Sequence, residues 1–277
     1  MLSIVFTGRD DNYGNEFIPR FKYVLQNNLE KLERSNIEYE IVIVDFNPIN
    51  GQFLHINNEI KHLLDLPHVK NVIVDQSVLI KDQLSPNVFY EYFAKNIGAR
   101  WAKYDNLFLT GSDIMYSEEF VNEIKKAIFS GDLKKHFYRS RYRAEVFLGQ
   151  NESHVTEKRD LHVLGDPDEL ICGLFSGDAE LFSKEVFCNI ATGFNEIHPG
   201  HRGPKNHASL DGEILWNCYH KGITLKFLDA YYMHIFHGRF IPRDETYDKN
   251  PYINRLNWGF IDFPHTKLNH NSFLIHA

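Results

Sequence analysis

A doubly wound, mostly parallel α/β sheet flanked by helices, passing into a mixed second half, is the fold this sequence predicts. Three observations predict it. Apolar runs of strand length alternate with helical stretches four times before residue 110. Two of those runs end in an acid, Asp45 and Asp75, and the fourth stops at Thr110, Gly111, Ser112 and Asp113. Beyond about residue 130 the alternation gives way to a basic strand-like stretch and long polar connections.

Residues 2–7 read as a short apolar strand that breaks at a polar turn through Gly8, Arg9 and Asp10. Over residues 15–34, Phe17, Phe21, Val24, Leu25, Leu29 and Leu32 recur at helical spacing. Residues 39–45 are almost continuously apolar up to Asp45, as a strand covered on both faces should be. Pro48 and Gly51 mark the loop after it. A helix over 53–64, a third strand over 69–75, a helix over 86–101 with Pro86 near its first turn, and a strand over 107–109 follow. Ser117, ahead of Glu118 and Glu119, starts the next helix, which leaves Asp113 for another task.

Residues 134–147 are strand-like and basic, 149–168 a long loop, and 171–182 a strand pair. Ser183 caps a short helix. Residues 197–208 carry too much Gly, Pro and His for regular structure and make a candidate lid or acceptor loop. A helix over 211–221 and a strand over 223–232 close the core, and the tail from Arg239 shows little periodicity. With no repeat and no linker, one domain over 1–277 is expected.

Composition narrows the function. A chain of 277 residues with 43% hydrophobic and 24% charged residues has the balance of a soluble globular enzyme. A net charge of −7 argues against a nucleic-acid partner, which needs a basic surface. Cys172, Cys188 and Cys218 are odd in number and set among apolar residues, the pattern of buried thiols in a reducing compartment. The apolar start is too short for a signal peptide, and no later stretch spans a bilayer, so a cytoplasmic chain without a membrane span is expected.

Each candidate group also has a plain structural use. Asp45 and Asp75 at strand ends either cap turns or meet a base and ribose. Asp113 stands where ligands bind in open α/β sheets. A hard divalent cation takes carboxylate oxygens together with substrate phosphates, so one acid, one His and a diphosphate make a workable shell. His234 and His237 have odd spacing, which puts them on opposite faces of a strand unless the strand has ended. Asp211 and Glu213 open a helix; there they either complement its dipole or serve as a general base. No Gly-x-Ser-x-Gly, Walker loop or Gly-x-Gly-x-x-Gly is present.

Taken together, the order of features resembles the inverting nucleotide-sugar glycosyltransferases of the GT-A fold, in the large family 2-like group. The matching positions are the strand ending in Asp45; Ala94, Asn96, Gly98 and Ala102 ahead of the metal strand; and the strand ending in Asp113, where the family carries Asp-x-Asp. They continue with Gly193, Phe194, Asn195 and Glu196, then Asp211 and Glu213, and a late His matched by His237 or His234. Only the last acid of the metal motif is kept, with Thr110 and Ser112 before it.

The resemblance implies transfer of a sugar from a nucleotide-diphosphate sugar, UDP-sugar favoured, to a hydroxyl of a glycan, lipid-linked or protein acceptor. It implies a nucleotide-binding half over about 1–115, an acceptor and catalytic half over about 116–240, and an aromatic tail over 241–277. Thr7, Arg9, Asp45, Asp75, Asn96, Arg100, Ser112 and Asp113 would meet the nucleotide sugar. Asp113 with His237 (or His234) would hold Mn²⁺ or Mg²⁺. Asp211 would be the catalytic base and Glu213 the second catalytic acid, with Arg202, Lys205 and Arg239 as candidate diphosphate clamps. Metal affinity without nucleotide is expected to be weak, because a single acid remains. The alternatives are an inactive sugar-binding or scaffold protein of the same fold, and a nucleotidyltransferase.

Overall fold

The computed structural model describes residues 1–11, 16–86, 88–161, 179–196, 210–237, 253, 254, 256 and 258–277, and of residues 210–212 the backbone alone. Four parallel strands, β1 (Leu2–Gly8), β2 (Tyr39–Phe46), β3 (Val69–Val74) and β4 (Asn106–Thr110), stand in the order β3-β2-β1-β4. Ile41 and Ile43 enter the core on one face of the sheet, and Val42 and Val44 enter it on the other. That double burial is why β2 reads as an unbroken apolar run.

Helix α1 (Phe17–Ser35) buries Phe17, Phe21, Val24, Leu25, Leu29 and Leu32 on the first face and ends at Asn36 in the left-handed region. Helix α4 (Glu91–Trp101) lies on the second face, so close that a Cβ on Gly98 would stand 2.2 Å from Val5 Cγ1. The Gly of the Asn-x-Gly motif is therefore a packing requirement. Helix α5 (Glu118–Ser130) begins where expected: Ser117 Oγ accepts the Phe120 N–H at 3.0 Å, and Gly131 ends the helix at φ 74°.

Beyond β4 the sheet turns mixed, as expected. Strand β8 (Ala179–Ser183) runs antiparallel to β4, and β6 (His136–Val146) antiparallel to β8, so β6 again runs with β4. Strand β9 (Thr224–Ile235) is parallel to β6, and β5 (Ile114–Tyr116) closes that edge antiparallel to β9. The short β7 (Arg159–Asp160) pairs with β6. Ser183 Oγ accepts the Val186 N–H at 3.1 Å and opens a π-helical turn, Glu185–Ile190; helix α6 covers Leu210–His220. This is the mixed α/β architecture that the GT-A resemblance implies. Among the described residues, no helix is long and apolar enough to cross a membrane.

Three expectations about elements need correction. The helix expected over 53–64 is a 3₁₀ turn, Leu54–Ile56, and then a four-residue α2, Lys61–Leu64. Asn57 breaks it, because its Oδ1 takes the Glu59 N–H at 3.0 Å and offers the backbone a turn instead. The helix expected from Pro86 starts only at Glu91; the Pro86 carbonyl instead accepts the Asn47 side chain. Between β3 and that helix lies α3 (Gln76–Lys81), capped by Asp75.

The third correction concerns the tail. Strand β11 (Ser272–Ile275) adds parallel to β3, and β10 (His265–Lys267) lies outside it, completing an eleven-stranded sheet among the described residues. Strands of three and four residues are too short for alternation to register in sequence. The expected loop over 197–208, the first strand expected within 171–182, and residues 239–252 of the tail lie outside the described residues.

Candidate metal and nucleotide site

Strands β1, β2, β3, β4, β6 and β9 all run in one direction, so their carboxyl ends share one edge of the sheet. That edge collects Thr7 and Arg9 after β1, Asp45 in β2, Asp75 after β3, Asp113 after β4, Glu145 in β6, and His234 and His237 at the end of β9. Ligands of open α/β sheets bind at such an edge.

The tightest cluster there is Asp113 with His234 and His237. His237 Nε2 lies 2.7 Å from Asp113 Oδ2, and His234 Nε2 lies 3.3 Å from the same oxygen. One ligand atom from each of the three residues falls within 4.8 Å of the other two. The odd spacing of the histidines is no obstacle, because β9 ends at Ile235 and His237 lies beyond it. Backbone pairing holds both sides: Ile114 pairs with His234, and Ile235 N–H donates to the Asp113 carbonyl at 2.9 Å. Gly111 keeps the space open, since a Cβ there would stand 2.7 Å from Asp113 Oδ1.

Burial would favour a neutral Asp113, but the two imidazoles outweigh it and hold the carboxyl well below its ordinary range. Burial likewise works against a charged His234, yet Asp113 and Glu145 carry it up to about 9. Glu145 is drawn down to about 2, burial being outweighed by His234 and Arg143. Glu145 Oε2 sits 2.7 Å from His234 Nδ1, while Arg143 holds Glu145 Oε1 through Nε at 2.8 Å and an Nη at 2.7 Å.

These residues suit a divalent metal. An ionised Glu145 can only accept, so it keeps a proton on His234 Nδ1, and a metal ion would take Nε2 in place of the second proton that the raised imidazole holds at neutral pH. That Nε2 is buried and makes no hydrogen bond of good geometry among the described residues. A carboxylate and two imidazoles within 4.8 Å of one another are a ligand set that first-row transition ions accept. Of the two expected alternatives, His237 and His234, both stand within reach of Asp113.

Farther along the same edge, in β2, Asp45 is buried, and its Oδ2 accepts the Leu54 N–H at 2.8 Å. Its Oδ1 is buried without a hydrogen bond among the described residues. Burial pushes this carboxyl up to about 7, with Leu54 and Arg9 opposing only in part. Arg9 forks onto Asp11 Oδ2 at 2.6 and 2.9 Å and lies 5.6 Å from the Phe89 ring. Thr7 is buried at the end of β1. Asp75 spends one oxygen on the Ser77 N–H at 2.9 Å, the capping use weighed from sequence. Ser112 is half-buried in the turn before Asp113.

Asn96 and Arg100 belong to a different device. Asn96 is fully buried; its Nδ2 donates to the Phe194 carbonyl at 2.9 Å and to Glu196 at 2.6 Å, and its Oδ1 accepts the Phe194 N–H at 2.8 Å. Asn254 of the tail joins the same segment: its Oδ1 accepts the Glu196 N–H at 2.9 Å, and its Nδ2 donates to the Phe194 carbonyl at 2.7 Å. The Arg100 guanidinium stacks 3.7 Å over Trp258. Of the two residues expected on the nucleotide sugar, Asn96 thus braces the 194–196 stretch against α4, and Arg100 holds the tail to the same helix through Trp258.

Glu213 is buried in the first turns of α6 and accepts from Asn195 Nδ2 at 2.7 Å. Asp211 lies on the same helix, its side chain outside what is described. Arg202, Lys205, Arg239 and Cys172 are outside the described residues, whereas Cys188 and Cys218 are buried free thiols as expected. Glu145 is the residue sequence reasoning missed. It sits on a stretch read only as a basic strand, and its use depends on a β6–β9 register that no local pattern encodes.

No protein-family model and no curated protein sequence matches the chain. Among solved structures, S. aureus TarS aligns with 85% of this chain and 36% of its own, at 12% identity and a TM-score of 0.47. S. aureus TarS 1–349 in complex with UDP-GlcNAc aligns with 86% of this chain and 59% of its own, at 14% identity and a TM-score of 0.49. The form in complex with UDP aligns with 85% of this chain and 60% of its own, at 11% identity and a TM-score of 0.45. The present chain therefore spans 36 to 60% of the length of these proteins.

Proposed function

We propose that this chain transfers a sugar from a nucleotide-diphosphate sugar, UDP-sugar first, to an acceptor hydroxyl with inversion at the anomeric carbon. The observation that carries this reading is the Asp113–His234–His237 cluster at the carboxyl edge of the parallel strands. It stands where the glycosyltransferase resemblance places the metal strand and the late His.

In this reading the base lies at Asp45, whose unshared, buried Oδ1 and raised carboxyl suit an N–H donor of a pyrimidine. Thr7, Arg9 and Asp75 complete the nucleotide edge. Asp113, His234 and His237 hold a Mn²⁺ or Mg²⁺ ion, which when bound supplies positive charge against the diphosphate leaving group. Asp211 takes the proton from the acceptor hydroxyl, and Glu213, fixed by Asn195, keeps the first turns of α6 in place. Arg202, Lys205 and Arg239 supply further positive charge to the diphosphate. The acceptor is a glycan, a lipid-linked sugar or a protein, reached from the cytoplasm.

The test is release of nucleoside diphosphate from a panel of sugar nucleotides, with and without Mn²⁺. Turnover that falls about 10²- to 10⁴-fold in Asp211→Asn and is lost in Asp113→Ala supports transfer. Nucleotide binding with no turnover under any metal would instead identify a sugar-binding scaffold, the reading that Thr110 and Ser112 in place of acids favours. Pyrophosphate release from a nucleoside triphosphate would identify a nucleotidyltransferase.

A further inference from the structure

We propose that Glu145 is a positioning residue that locks His234 as a standing metal ligand. The chain then carries a complete one-carboxylate, two-imidazole site that takes a nitrogen-accepting divalent ion before any nucleotide arrives and discriminates against Mg²⁺. The link to sugar transfer rests on the function proposed above; the metal site itself does not.

The geometry begins with the ladder. Glu145 and His234 are direct cross-strand partners between β6 and β9, so their side chains leave the sheet on the same face. The 2.7 Å contact from Glu145 Oε2 to His234 Nδ1 fixes the ring plane and leaves Nε2 aimed at Asp113 Oδ2. Arg143, two residues before Glu145, holds its other oxygen. Phe236 N–H donates to the Val146 carbonyl at 2.7 Å, which continues β6–β9 pairing past the strand end and sets the approach of His237. Asp113 and His234 therefore hang on hydrogen-bonded backbone, and His237 follows directly after it.

Carboxylate partners of a ligating His set its tautomer, raise its basicity, and typically matter by about 10- to 100-fold in metal affinity. Mg²⁺ favours oxygen ligands and retains its waters, whereas imidazole suits first-row transition ions and zinc. The weak nucleotide-free affinity expected from a lone acid is accordingly replaced by a preassembled site. The plain alternative is that the two histidines only form ion pairs with Asp113 and close the sheet edge.

Titration of the nucleotide-free full chain with Mn²⁺, followed by electron paramagnetic resonance, separates the two. The expected result is one Mn²⁺ per chain, imidazole nitrogen couplings on the bound ion, and no displacement by a tenfold excess of Mg²⁺. Glu145→Ala should weaken Mn²⁺ binding about 10- to 100-fold, and Glu145→Gln, which keeps an acceptor for Nδ1–H, should restore part of it. If Glu145→Ala does not fold, the nitrogen couplings and Mg²⁺ competition in the wild type still decide. Absence of Mn²⁺ binding, absence of nitrogen couplings, equal competition by Mg²⁺, or wild-type affinity in a folded Glu145→Ala overturns the proposal. Metal binding of the expected kind without sugar transfer would sink the proposed function and leave this inference standing.

Discussion

Two glycines that look alike in sequence do different things, and the difference is testable. A Cβ on Gly98 would meet Val5 Cγ1 in the middle of a packed helix–sheet contact. Gly98→Ala should therefore cost about 1–3 kcal/mol of stability, the usual range for overpacking, read as a lowered midpoint in urea. A Cβ on Gly111 would press first on the Asp113 carboxylate at 2.7 Å, the free end of a short side chain, and then on Ile114 Cγ1 at 3.3 Å. Gly111→Ala should leave the urea midpoint nearly unchanged and weaken Mn²⁺ binding; unaltered metal affinity would show that the carboxylate has room to spare. Asp45 makes the third residue-scale prediction. Its folded-state carboxyl is raised from 3.8 to about 7, so the folded chain binds more protons than the unfolded one within that window. Its stabilising contribution is complete below about pH 4 and lost as pH rises through 7, a swing on the order of 4 kcal/mol. The stability of the wild type relative to Asp45→Asn should therefore fall between about pH 4 and pH 7 and level off above. A difference that stays constant with pH contradicts the buried acid.

At the scale of elements, what sequence revealed and what it hid follow from the range of the interactions. Helices α1 and α5 and strands β1 to β4 were legible because burial repeats within each element and Ser117 caps α5 locally. The helix over 53–64 was misread because Ile60 and Leu64 are buried four residues apart, as in a helix, while Asn57 turns the chain between them and the buried Leu54. Asn96 was legible as a motif, but its protein partners were not, since they lie about a hundred residues on at Phe194 and Glu196. Asp113 and the histidines were legible one by one; their meeting, and the part of Glu145, depend on sheet order. The brace yields its own prediction. Asn96→Leu removes three hydrogen bonds; the Phe194 carbonyl keeps Asn254 and Glu196 keeps the Gly259 N–H, so the Phe194 amide is the group left short of its acceptor, at about 1–3 kcal/mol. Hydrogen exchange should rise at residues 193–196 while β9 stays protected. Protection that falls equally at both places would mean that the brace is not a separate unit.

For the whole molecule, the sheet separates two tasks along its width. The order β10-β11-β3-β2-β1-β4-β8-β6-β9-β5 puts the Asp113–His234–His237 cluster near one margin and the tail strands at the other. The tail covers β3: Asn71 N–H donates to the Asn271 carbonyl at 2.8 Å, Asp75 N–H to the Ile275 carbonyl at 3.0 Å, and Ser272 to Ile275 pair along the strand. Without residues 265–277, β3 becomes an edge of Val69, Val72, Ile73 and Val74, an apolar strand with unpaired backbone groups of the kind that self-associates. Strand β10 is itself exposed along its length and ends in Lys267, a charge that blunts the native edge. Removing 265–277 should therefore raise self-association in sedimentation velocity. Mn²⁺ affinity should persist in the soluble fraction, because Asp113, His234, His237 and Glu145 stand across β2, β1, β4 and β8 from the cut. A truncated chain that sediments like the full one would show that β10 and β11 do not protect the edge. A truncated chain that stays folded but loses its metal would show that the two margins are coupled through the sheet.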